Sequence, residues 1–99
     1  MITFTHPNVI SYLLANQYVY TIRKTNRPTG RQLIILERHG RRMGAVTRII
    51  AATNNSMSEF YKESGFDSWE AWRDAAEGLH NTPIGASDTF AIFKVDLIP

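Results

Sequence analysis

Residues 18–23 read Tyr18-Val19-Tyr20-Thr21-Ile22-Arg23, a stretch that is β-branched or aromatic at every position but the last. Such residues fit a pleated, half-buried surface better than a helix, so the stretch predicts a strand. Strand side chains alternate between the two faces. Tyr18, Tyr20 and Ile22 therefore share one face, and Val19, Thr21 and Arg23 share the other. Whatever surface Thr21 lines, Arg23 should reach as well.

The chain on either side of this strand reads as a series of short elements. Residues 1–5 alternate apolar and polar side chains, as a short strand does, and Thr5 is placed to cap a helix whose first turn tolerates Pro7. Val9, Ile10, Leu13 and Leu14 then recur at helical spacing until Asn16, a residue that accepts a left-handed helix end. After the central strand, turn formers at residues 26–30 predict a hairpin to a strand at residues 32–37. His39-Gly40 makes the next turn, and residues 43–53 predict a long strand bent near Gly44. Ser56 and Glu59 have capping-box spacing for a short helix ended by Gly65, and Asp67 or Ser68 caps a second helix that Gly78 would stop. Residues 79–88 read as a loop. In the strand predicted at residues 89–97, Ala91, Phe93, Val95 and Leu97 form one apolar face.

This order lacks the regular strand–helix alternation of a doubly wound parallel sheet. The expected fold is α+β, with a mixed or antiparallel curved sheet in a single domain spanning residues 1–99. At 43% hydrophobic and 20% charged residues the composition is that of a globular chain, far from the signature of disorder. The absence of cysteine excludes disulfides, thiolate metal sites and cysteine nucleophiles together. His6, His39 and His80 have no metal-ligand spacing, and no phosphate loop, nucleophile elbow or paired-carboxylate motif is present, so no metal or cofactor is expected. With no secretory leader pattern and no apolar run long enough to span a bilayer, the expected location is cytoplasmic.

Charge is segregated along the chain. Residues 23–48 carry Arg23, Lys24, Arg27, Arg31, Arg38, Arg41, Arg42 and Arg48 against the single acid Glu37, a net +7, whereas residues 49–99 carry a net −5. An excess of this size attracts polyanions and speeds their encounter. Arg27, Arg31, Arg38, Arg41, Arg42 and Arg48 are accordingly candidate nucleic-acid contacts.

Three stretches taken together resemble the ASCH branch of the PUA-like domains: residues 13–23, the strand entries at Gly30 and Gly44, and the run Glu63-Ser64-Gly65-Phe66-Asp67-Ser68-Trp69-Glu70-Ala71-Trp72. The strand at residues 90–97 occupies the family's closing position. The resemblance implies a small, partly open β-barrel with a short N-terminal helix and two short helices before the last strand. It also implies a cleft that collects Thr21 and Arg23, with Lys24, Ser64 and Gly65 beside them, and a role in RNA or modified-nucleoside chemistry.

Some bacterial relatives resemble amidohydrolases that remove an acyl group from the exocyclic amine of cytidine with a lysine, a threonine and a glutamate. Thr21 matches the threonine. The lysine's position holds Tyr18 and the glutamate's holds Ser64, with Glu63 displaced by one. Amide hydrolysis needs a group to activate the nucleophile and a group to carry a proton to the leaving amine. The first expectation is therefore a binding module for RNA or a nucleotide-like ligand. The rival is a hydrolase using Thr21, Arg23 and Glu63, and a third reading pairs the basic half with an acidic protein surface. Tyr12, Tyr18 and Tyr20 are candidate stacking platforms, and Trp69 and Trp72 are expected to anchor their helix to the sheet.

Overall fold

The computed structural model describes residues 1–84 and 89–99. The elements run β1 (Ile2–Phe4), α1 (Pro7–Asn16), β2 (Tyr18–Lys24), β3 (Gly30–Leu36), β4 (Gly40–Ala51), α2 (Asn54–Phe60), a 3₁₀ turn (Tyr61–Glu63), α3 (Trp69–His80) and β5 (Phe90–Leu97). One five-stranded mixed sheet has the order β1-β3-β4-β5-β2 and curls into a half-barrel. Only β1 and β3 run parallel; every other pair is antiparallel. The fold is thus α+β, built on a single sheet whose two edges are β1 and β2.

Period two decides what each face of the sheet buries. Val19 of β2, Ile34 and Leu36 of β3, Val46 of β4 and Phe93, Val95 and Leu97 of β5 point into the half-barrel, where they pack on Val9, Ile10 and Leu13 of α1. Ile22, Phe90 and Ile92 point the other way and pack on Met57 of α2 and Trp72 and Ala76 of α3. β5 is consequently buried on both faces along its first half, although its alternation predicts only one apolar face. At Gly44, β4 packs tightly against both of its neighbours. A Cβ there would lie 2.6 Å from Ile34 Cγ1 and 2.9 Å from the Asp96 carbonyl oxygen, so only glycine lets the strands approach this far.

Helix ends differ from expectation where two side chains compete for one cap. His6, not Thr5, caps α1, its Nδ1 accepting the Asn8 N–H at 3.2 Å, and Gln17, one residue past Asn16, takes the left-handed conformation. The capping box of α2 begins one turn earlier than expected. Thr53 Oγ1 accepts from Ser56 N at 3.1 Å, and Ser56 Oγ accepts from Thr53 N at 2.8 Å, so Ser56 is the inner member of the box. Ser68 caps α3 through the Ala71 N–H. Gly78 does not stop that helix, which continues to His80 and ends on left-handed Asn81; the loop expected at residues 79–88 therefore starts later, and its residues 85–88 lie outside the described residues.

In the β3–β4 turn Arg38 has φ 67, a left-handed conformation that crowds any Cβ. Replacing Arg38 with glycine is expected to stabilise the protein by up to about 1 kcal/mol, the relieved strain exceeding the extra chain entropy of glycine. Denaturant unfolding of the variant measures this, and a lowered midpoint would refute it.

Candidate functional site

The edge strands β1 and β2 meet across an open seam that no backbone ladder closes; arginine side chains of the β2 segment bridge it instead. Arg23 Nη2 donates to the Thr3 carbonyl at 3.0 Å, and Arg27 donates to the Met1 carbonyl. At this seam lies a cavity of about 380 Å³, within the usual size range of small-ligand sites. Its walls come from three places: Phe4, His6 and Val9 at the β1–α1 corner, residues 20–23 of β2, and Phe66, Trp72 and Leu79 from the α3 side.

Local structure explains each wall. His6 is held as the cap of α1, and its ring meets Phe66 edge-on at 4.8 Å between centroids. Phe66 is delivered by Gly65, whose φ of +90 turns the chain and whose missing Cβ lets the backbone pass the Asn8 carbonyl. Trp72 is 3% exposed, so it anchors α3 as expected and forms part of the cavity wall as well. Thr21 and Arg23 share the inward face of β2, as their spacing requires, and both line the cavity.

The polar chemistry centres on Arg23. Its Nε donates to Thr21 Oγ1 at 3.3 Å, and its guanidinium lies 5.1 Å from the centre of the Phe4 ring. Burial, followed by the nearby charge of Arg27, lowers its pKa from the usual guanidinium range to about 10, which leaves it cationic at neutral pH. Ion pairs among the described residues are Arg73–Asp74 and Lys94–Asp96, so the guanidinium faces no carboxylate partner there. Bound to Thr21 and Thr3, the fork retains donors for a planar or anionic acceptor.

No family model, no curated protein and no solved structure matches the chain. The site is accordingly read from its own geometry. Lys24 is exposed and lies beside the cavity, on the outward face of β2. Glu63, Ser64 and Gly65 do not line the cavity. The Ser64 side chain is fully buried, its hydroxyl donating to the Tyr61 carbonyl and accepting from Phe66 N, so it shapes the turn that leads to Phe66. Glu63 instead lies near Tyr12, whose phenol is pushed up to about 12 by desolvation, by its hydrogen bond and charge coupling to Tyr18, and by the Glu63 charge. The group beside Thr21 Oγ1 is thus a guanidinium N–H, which donates a proton and does not accept one.

Tyr12, Tyr18 and Tyr20 form an edge-to-face ladder, with centroids 6.0 and 6.2 Å apart, that continues to Phe60. Tyr18 and Tyr20 lie on the face of β2 opposite Thr21, Tyr12 reaches them from α1, and Tyr20 also borders the cavity. Of the six outlying arginines, Arg31, Arg38, Arg41 and Arg48 are exposed. Arg42 folds back to donate to Gln17 Oε1 at 3.3 Å, and Arg27 sits in the seam. The basic residues therefore divide between the two ends of the β3–β4 hairpin and the seam, with none of the eight in an ion pair among the described residues.

The cavity residues that sequence reasoning missed as ligand walls are Phe4, His6, Trp72 and Leu79; of the segment from Glu63 to Phe66, expected to form the wall opposite Thr21 and Arg23, Phe66 alone lines the cavity. His6 had one available signal, its position immediately before Pro7 at a helix start. Phe4 read as part of a short strand, Trp72 as a helix anchor and Leu79 as the start of a loop. No helix among the described residues is long and apolar enough to cross a membrane, and no three metal-ligating side chains among them come together.

Proposed function

We propose that the protein is a binding module for RNA or a nucleotide-like ligand, with a base or similar planar group taken into the seam cavity and Arg23 as its principal polar contact. One observation carries this reading. Arg23 is held largely out of water between aromatic walls, beside Thr21, with no carboxylate partner among the described residues. Leaving a cation so placed costs stability, and fold energetics alone would favour an apolar side chain there. A ligand that presents a hydrogen-bond acceptor to the fork offsets that cost. Phe4, Phe66 and Trp72 supply the apolar and aromatic surface that nucleobases stack on, and the exposed arginines at 31, 38, 41 and 48 supply attraction for a phosphate chain. The resemblance to ASCH domains and a PUA-like, partly open barrel belongs to the same proposal, as does a cytoplasmic location.

Binding of labelled single-stranded and duplex RNA across a salt series tests it. Each neutralised phosphate in a single strand contributes a slope of about −0.7 to log affinity against log salt. Arg41→Ala is expected to reduce the slope by about one contact and to weaken all sequences alike. Failure of RNA, nucleosides and nucleotides alike to bind at low salt would overturn the proposal.

A further inference from the structure

A second opening of about 380 Å³ lies on the far side of Arg23 and is lined by Lys24, Asn26, Arg27, Pro28 and His80 together with Arg23 itself. Arg23 is thus common to both cavities, one largely apolar and the other bordered by three cations and an imidazole. We infer that this second opening is a subsite for a phosphate monoester, joined through Arg23 to the planar group in the first. The inference rests on the binding reading above and narrows its ligand from a nucleoside to a phosphorylated one.

Three observations carry it. Arg27 Nε is buried and has no hydrogen-bond partner among the described residues, while another nitrogen of the same guanidinium is fixed on the Met1 carbonyl. Anchored on the Met1 carbonyl, the Arg27 guanidinium is held at the opening it lines, with N–H groups that no described residue accepts. Secondly, the charges of Arg23 and Arg27 act on each other, and no acid among the described residues pairs with either or with Lys24. A dianion placed between like charges reverses the sign of that interaction, and a monoester supplies two charges where a backbone diester supplies one. Thirdly, His80 holds the floor of the opening, its Nε2 lying 3.4 Å from the Ile22 carbonyl and its ring 4.9 Å from Phe90. The cations are thereby gathered over a packed surface and not dispersed in solvent.

The test uses the full chain and begins with inorganic phosphate alone, followed through the His80 ring signals by NMR. The His80 pKa is held below its usual value by burial and by Arg23 and Lys24, with the Ile22 carbonyl acting in the opposite sense. Phosphate in the opening is expected to shift those signals saturably and to raise that pKa. Lys24→Ala and Arg27→Ala should each weaken the titration by about tenfold or more, and Lys62→Ala, which removes the same charge elsewhere on the surface, should not. Signals that ignore phosphate, or that respond equally in all three variants, would overturn the subsite.

A second arm compares nucleosides with their 5′-monophosphates, and short RNA with and without a terminal phosphate. The phosphorylated member of each pair should bind at least about tenfold more tightly, and the larger gain in the pair of mononucleotides or of RNAs identifies the source of the phosphate. Equal binding of nucleoside and nucleotide would overturn the subsite and leave the binding module standing. A phosphate response with no binding of nucleoside or nucleotide would overturn both the binding module and the monoester subsite.

Discussion

Arg23→Met is expected to leave the protein at least as stable as its parent while weakening ligand binding by about 10- to 100-fold, the range spanned by one or two charge-assisted hydrogen bonds. The two effects have a single cause. Burial lowers the Arg23 pKa to about 10, which means that the folded environment penalises the charged form. Methionine keeps much of the length and the apolar contact with Phe4 without the charge, and replacing an uncompensated buried charge by an apolar group is neutral or stabilising by about 1–2 kcal/mol. The lost bonds to Thr21 Oγ1 and the Thr3 carbonyl work against that gain. The pH dependence separates these contributions. A cation whose folded pKa lies below its unfolded value destabilises the fold fully at lower pH, and the penalty is relieved as pH rises through about 10 toward the ordinary guanidinium range. The stability advantage of the methionine variant should accordingly be constant near neutrality and shrink above pH ~10. A variant that binds as the parent does would remove Arg23 from the site.

Gly65→Ala should destabilise the protein by about 3 kcal/mol or more. Two costs combine at this position. At φ +90 an L side chain is strained by about 1–3 kcal/mol, and the new Cβ would lie 2.8 Å from the Asn8 carbonyl oxygen and 3.1 Å from Val9 Cα. Both contacts are to the backbone of α1, which no rotamer change can relieve. For a domain of this size the loss corresponds to a fall in Tm of about 12 °C or more. Thermal unfolding monitored by circular dichroism measures it, and Gly78→Ala provides the contrast. Gly78 lies within α3 with open space around it, so alanine there should stabilise the helix by up to about 1 kcal/mol. Equal effects at the two glycines would show that the turn at Gly65 yields easily.

How legible each part of the molecule was depended on whether the deciding force was local. Tyr18–Lys24 is a strand because period two and β-branching act within the segment, and the pairing of Thr21 with Arg23 on one face follows from the same arithmetic. Ser68 as the cap of α3 is equally local, since its hydroxyl meets an N–H three residues on. His6 could not be chosen over Thr5 by such reasoning, because imidazoles seldom cap and its position is also set by packing on Phe66, sixty residues away. Gly78 resembled a stop, but α3 is carried past it by the sheet beneath, where His80 reaches the Ile22 carbonyl. The buried position of Ser64 depends on a turn that packs on α1, a contact that no spacing encodes. The same limit applied to the charges. Eight cations in 26 residues were plain to see, yet the division that puts Arg27 in the seam and Arg42 on Gln17 arises only when β2, β3 and β4 take their places in the sheet.

The central position of β5 has a bearing on how the molecule is made. This strand pairs with β2 through Tyr18↔Asp96 and with β4 through Gly44↔Leu97, and it contributes to both apolar clusters. Until residues 90–97 leave the ribosome, β2 has no ladder partner and neither cluster can close. The chain must therefore close the 65-residue segment 25–89 before β2 is paired, a form of non-local closure that slows folding and leaves strand edges open to other chains in the interval. Lys24 and Arg27 on the waiting β2 segment carry like charges that discourage such pairing, so the cations that border the seam in the finished protein also guard its edge while it forms.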